Sequence, residues 1–260
     1  MTAAEIAADV ARTTPPGWSR TAPDTRRGGP VVVERAVVTT EGTWSPEHLA
    51  RTFGDLEVSV RRRRHRPGDP AGTTRVHVDR AALGAMVASM HADGVYFAPA
   101  IPFDRLPGLL GRLDLGPLFP TAADWTAATD YTRLHLGDSM RMRLHWEPTD
   151  LFLVQLYGRT RVVIEPPDST AAHYPCVGWP TASRVEFDDP RHDLDFPLHR
   201  GQSRLGTVLL PGDVLHVPRG WWYEARALGR VVWATVAHGP VLPLTDEVRR
   251  RLLTLAGRTT

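Results

Sequence analysis

No lysine occurs anywhere in the 260 residues, so all 31 basic side chains are arginine. Any mechanism that needs a lysine amine, as a Schiff base or an ammonium clamp, is excluded by that absence. A single cysteine, Cys176, excludes an intramolecular disulfide and a multi-cysteine zinc site. No apolar run is long enough to span a bilayer, and the N-terminus lacks a signal-peptide core. The expectation is a cytoplasmic protein with no membrane partner. A surplus of charge is also missing: 31 basic against 29 acidic residues leave +2. Even with a pI near 9.0, bulk electrostatics do not argue for nucleic acid. What is present is an ordinary globular composition, 42% apolar and 23% charged, sized for one large domain or two small ones.

Residues 3–12 read as a short helix, and the Pro/Gly/Arg-rich stretch after them has no periodicity, so 1–30 is expected to be a mobile arm. A single domain then fills 31–260. VVVERAVV (31–38) opens it as a strand, and Ser45-Pro46 starts a helix, with Ser as N-cap and Pro in the first turn. LEVSV (56–60) alternates as a strand, and RRRRHRPGD (61–69) reads as a solvated hairpin or loop. Asp79 is placed to cap a helix over 80–92, with Leu83, Met86, Val87 and Met90 as its apolar stripe and Gly94 beyond its end. VYFAP (95–99) predicts a strand and FDRLPGLLGRL a short helix. From Tyr131 to about 240 the texture becomes many short apolar runs punctuated by Gly, Pro and Asp, the pattern of an antiparallel sandwich or barrel. A closing helix over 246–256 follows Thr245.

The chemistry-bearing segment is LHWEPTDLFLVQLYGRTRVVIEPPD. His145 and Glu147 stand two apart just ahead of a strongly β-type run, so on a strand their side chains share a face. A histidine and a carboxylate that converge make half of the set that holds non-haem iron with open positions.

Together with Trp44-Ser45-Pro46, VYFAP, LHLGDS, HYP, SRVEFDDP with DFP after it, and PGDVLHVPRGWW, this segment resembles the JmjC-type cupins, in particular hydroxylases of the factor-inhibiting-HIF-like, cupin-8 kind. The matching segments span 44–238 in the family's order. The resemblance implies a mainly β double-stranded β-helix (jelly-roll) with N-terminal α/β elements and a C-terminal helix. It also implies Fe(II) and 2-oxoglutarate as cofactors and hydroxylation of a protein side chain or small metabolite. Carried across residue by residue, His145 and Glu147 take the first two metal positions, Glu standing for the family's Asp. Tyr223 occupies the position of the distal histidine. Tyr96 matches a tyrosine that contacts the cosubstrate, Thr160 stands where a lysine grips its far carboxylate, and Met142 where a threonine assists. On strand parity, Arg141 and Arg143 are the expected substitutes for that lysine.

A second reading keeps the fold and drops the iron. His145, Glu147 and Tyr223 then form a metal-free acid/base or ligand-binding cluster. A third leaves a partner-binding protein with a vestigial pocket. His135, His216 and His238 lie in core-strand segments and could complete a site; Trp221 and Trp222 read as core aromatics. Glu165, Asp188, Asp189 and Asp193 read as loop and surface charges, and Cys176 is given no role. The substrate is expected to be a small molecule or peptide. A homodimer through the C-terminal helix is compatible with the sequence.

Overall fold

A computed structural model describes residues 8–14, 28–39, 42–64, 75–90, 95–119, 122–129, 131–176, 179–187 and 192–239. In chain order the elements are β1 (Ala8–Asp9), β2 (Ala11–Thr13), β3 (Val31–Val33), α1 (Pro46–Phe53), β4 (Glu57–Arg64), β5 (Arg75–Ala82), α2 (Leu83–Ser89) and β6 (Val95–Pro102). They continue as α3 (Ala122–Thr129), β7 (Thr132–Asp138), β8 (Arg141–Trp146), β9 (Asp150–Tyr157), β10 (Thr160–Glu165), β11 (Pro175–Cys176) and β12 (Trp179–Ser183). The last are α4 (His192–Asp195), β13 (Leu205–Leu209), β14 (Val214–Val217), β15 (Trp222–Ala227) and β16 (Arg230–His238).

Eight of these strands build the jelly roll. One sheet carries β13-β10-β15-β8 at its centre and the other β14-β9-β16-β7. Consecutive core strands alternate between sheets except at β10 and β13, which pair within one sheet, the winding of a double-stranded β-helix. The run DLFLVQLY of β9 shows why its sequence is apolar almost throughout. Leu151 and Leu153 point into the roll, while Phe152, Val154 and Leu156 point out into a second core beneath α1 and α2. A strand buried on both faces cannot alternate. Gly158 makes the turn into β10 at φ +72, where an added Cβ would sit 2.1 Å from the Arg230 carbonyl oxygen. A third cluster of Leu144, Trp146, Tyr174, Val185 and Trp222 lies on the outer face of the other sheet.

Several local expectations change. Residues 8–9 and 11–13, within the segment read as a helix and arm, are strands: Ala8 pairs with Leu205 in one sheet and Ala11 with Val31 in the other. Asp79 does not cap a helix; it lies in β5 opposite Val60, and α2 begins only at Leu83 with no side-chain cap. A continuous ladder to β4 outweighs one capping hydrogen bond. The apolar stripe survives, with Leu83, Met86, Val87 and Met90 buried. Ser45 does cap α1, its hydroxyl accepting from the His48 N–H at 3.2 Å. The helix expected at FDRLPGLLGRL is two 3₁₀ turns, Phe103–Arg105 and Leu110–Arg112. Pro107 and Gly108 (φ +80) interrupt it. Gly94, most of the arginine-rich loop and the 246–256 helix lie outside the described residues.

Candidate functional site

His145 and Tyr223 are opposed directly across β8 and β15, their ring centroids 4.3 Å apart. His145 Nδ1 lies 2.8 Å from the Arg143 carbonyl oxygen, which can only accept, so that nitrogen carries the proton. In the neutral imidazole the lone pair is then on Nε2, which faces Glu147 with Oε1 3.5 Å away. The separation is loose for a hydrogen bond and suited to two atoms sharing one metal ion. Glu147 belongs to the turn after β8, which the Gly220 N–H fastens to the loop before β15 at 3.0 Å. Its side chain keeps 41% of its surface exposed against 13% for His145, which places the pair at the mouth of the roll.

Tyr223 is nearly fully buried. Burial, reinforced by the Glu147 carboxylate, holds its phenol well above the usual tyrosine pKa. It is therefore a neutral phenol unless an ion takes its proton. Thr160 stands four residues along β10 from Ile164, the residue opposite Tyr223, or roughly 13 Å deeper by strand rise. It is fully buried and its hydroxyl has no hydrogen-bond partner. Met142, opposite Ala225, packs into the same interior.

Arg141 and Arg143 are not free to replace the missing lysine. Between His145–Tyr223 and Met142–Ala225 the register gains one residue on β8, and this bulge reverses the parity on which the expectation rested. Arg141 is placed with Glu224, its Nη2 2.7 Å from Oε2, and Arg143 pairs with Glu186 at 2.9 Å. Tyr96 lies in β6 beside Arg62, and its side chain is outside the described residues.

Of the other histidines among the described residues, His135 joins this interior. It sits on β7 opposite Trp233, with Nε2 3.0 Å from the Thr235 hydroxyl. Burial, with the neighbouring His145 and Arg133, pushes its pKa down to about 4. Arg133, a residue not among the expected site residues, shares that inward face opposite Thr235. The signal was available, since Arg133 and His135 are two apart in a strand whose alternate residues, Leu134 and Leu136, belong to the outer core. His216 faces outward beside Phe152, with Asp150 Oδ2 at 3.4 Å from Nε2, and His238 packs against Phe119. Burial alone would raise the Asp150 carboxyl; the hydrogen bonds from His216 and the Arg219 N–H overcome it and lower the pKa. Trp221 is partly buried against the inner core, whereas Trp222 is fully buried on the outer face. Cys176 is half-buried, and burial raises its thiol pKa despite Arg143 and Arg184 nearby.

The chain matches the model of the cupin-like domain family across residues 25–238. The chain belongs to that family. Among curated relatives it is similar to a lysine-specific demethylase 8 from Danio rerio, 38% identical over 88 residues. That alignment takes in 33% of this chain and 21% of the relative. An HSPB1-associated protein 1 homolog, also from Danio rerio, is 36% identical over 106 residues, 36% of this chain and 22% of its own. A Jumonji C domain-containing protein 5 of Drosophila melanogaster is 28% identical over 85 residues, 32% of this chain and 21% of its own. The chain thus aligns with about a fifth of the length of these relatives. The family is of the JmjC, 2-oxoglutarate-oxygenase-like type.

Family members typically use Fe(II) and 2-oxoglutarate, and the donors here fit the two unequally. His145 Nε2 and Glu147 fit a divalent ion, while Tyr223 would have to give up its proton to serve as a third ligand. The orphaned neutral hydroxyl of Thr160 does not fit a carboxylate that demands a charge partner.

One expectation is overturned on the outer face. Glu165 is not a surface charge: it is fully buried at the end of β10, between His173 and His199. A carboxylate closing the apolar run TRVVIE was the available signal. Asp193 is exposed, as expected, and Asp188 and Asp189 lie outside the described residues.

Proposed function

We propose that this protein is a metal-dependent, oxygenase-type cupin acting on a small molecule or a peptide side chain, with His145 and Glu147 as the protein's metal ligands. The observation that carries the proposal is the 2.8 Å contact of His145 Nδ1 with the Arg143 carbonyl. The Nδ1 proton is committed to the Arg143 carbonyl, so Nε2 is presented as a lone pair 3.5 Å from a carboxylate oxygen. Ferrous iron held there supplies oxygen activation in enzymes of this type. Tyr223, a neutral phenol against the imidazole, serves as a proton donor beside the ion and closes one wall against water. Arg133, on the inner face of β7, is the cation best placed to meet a carboxylate-bearing ligand inside the roll.

The experiment is anaerobic titration of the purified chain with Fe(II) and then 2-oxoglutarate, with consumption of 2-oxoglutarate followed on admitting oxygen. Iron binding that disappears in His145→Ala, with turnover in the unsubstituted chain, supports the reading. Absence of iron binding sinks it.

One observation favours a second reading. The protonated phenol of Tyr223 packed on the imidazole of a His–carboxylate pair also brings three proton-exchanging groups together without a metal. Ligand-dependent rises in Tm without any metal requirement would favour that reading.

A further inference from the structure

The segment between β10 and β13 covers the outer face of one sheet, away from the His145 site. Three of its groups meet at one buried point: Glu165 at the end of β10, His173 and His199. Their ligand atoms all lie within 4.8 Å of one another, and all three side chains are fully inaccessible. Glu165 Oε2 is 2.6 Å from His173 Nε2 and 2.9 Å from His199 Nε2. Two imidazole nitrogens thus aim at one carboxylate oxygen from two different turns.

We propose that Glu165, His173 and His199 form a closed structural site for a zinc-type divalent ion, independent of the His145–Glu147 pair. Two imidazoles and one carboxylate are a donor set that suits such ions. The surroundings supply the outer shell that metal sites need. Arg204 Nε holds the other oxygen of Glu165 at 2.6 Å and so orients the carboxylate. His199 Nδ1 lies 3.0 Å from His192 Nε2, and His192 Nδ1 lies 3.0 Å from Asp193 Oδ1. With an ion on His199 Nε2, its Nδ1 proton goes to His192 Nε2, and the His192 Nδ1 proton to the Asp193 carboxylate. Every proton in that chain then has an acceptor. Arg204 Nη2, which donates to His199 Nδ1 at 3.0 Å, gives up that bond when Nδ1 is protonated and keeps the His199 carbonyl, 3.3 Å away, as its acceptor. Glu165 and Arg204 cancel in charge, and Asp193 offsets part of the charge the ion brings.

The present spacings are those of hydrogen bonds. An ion with bonds of about 2.0–2.2 Å replaces two Nε2 protons and needs its donors roughly 3–3.5 Å apart, a spreading of a few tenths of an ångström. Complete burial leaves no open position for a substrate, so the role is structural. The ion would pin the turns that carry His173 and His199 over Trp222, on which the His173 ring stacks at 4.5 Å.

The test uses the full chain with His145→Ala and Glu147→Ala, so that ions at the other site do not count. The protein is stripped with a chelator, titrated with Co(II) while its visible ligand-field bands are read, and then challenged with Zn(II). One ion per chain is expected, lost in the added His199→Gln and bound 10–100-fold more weakly in the added His192→Phe. Should His199→Gln fail to fold, His192→Phe carries the comparison alone. No ion in the His145→Ala/Glu147→Ala protein, or an unchanged affinity in both further variants, overturns the proposal. Failure at the His145 site leaves this count intact, so the two readings fall separately.

Discussion

The residue with the clearest individual consequence is Thr160. Its buried hydroxyl has no partner, which costs about 1–3 kcal/mol, so an isosteric replacement should be favourable. Thr160→Val is expected to raise stability by about 1 kcal/mol, read as a higher urea midpoint at unchanged m-value. A lower midpoint would mean that the hydroxyl is satisfied inside the roll. Tyr223 answers a different question. Tyr223→Phe keeps the packing against His145 and removes the proton; it is expected to leave metal affinity within about threefold and to lower turnover by at least tenfold. Equal losses of both would instead make the phenol oxygen a ligand.

At the scale of paired strands, β7 and β16 carry a pH dependence. His135 titrates at about 4 in the fold and near 6.5 when unfolded. Between those values the unfolded chain binds a proton that the folded one refuses. The stabilisation is therefore complete above about pH 6.5 and is lost as pH falls towards 4, by roughly 3 kcal/mol in all. Unfolding free energies measured across pH 7 to 4 should show this slope, and His135→Leu should flatten it. β8 and β15 carry a mostly buried ion pair, so Arg141→Ala, which removes one cationic partner of the Glu224 carboxylate, is expected to cost about 3 kcal/mol in denaturant unfolding.

Strand pairs also show how far the sequence could be read. The core strands after Tyr131 were legible because alternation, Gly-Asp turns and short apolar runs record burial locally. The shared face of His145 and Glu147 followed from spacing alone. The bulge opposite Tyr223 did not, because an inserted residue is a property of two strands in register, and it misplaced Arg141 and Arg143. Glu165 was missed for a related reason: its burial depends on His173, His199 and Arg204, which arrive from distant turns. Residues 8–13 carry helix-type composition, yet their backbone groups pair with sheet edges that a local reading cannot supply.

For the whole molecule, those N-terminal strands join both sheets. Arg12 reaches Glu34 at 2.5 Å, the Thr207 hydroxyl at 3.0 Å and Asp213 at 2.8 Å, while Val10 is buried in the inner core. Deleting residues 1–14 is expected to lower Tm by at least about 5 °C, as a loss of 2–3 kcal/mol would do in a chain of this size. An unchanged Tm would show that the sheets close without them. The same feature sets a timetable. β1 pairs with β13, whose residues are made about 200 positions later. At roughly 5–20 residues per second, a ribosome takes about 10–40 s to cover that distance. Until then Val10 has no place to go and the inner core stays open at that edge. The first strand to emerge is among the last to dock, and this chain depends for that interval on whatever keeps nascent apolar edges apart.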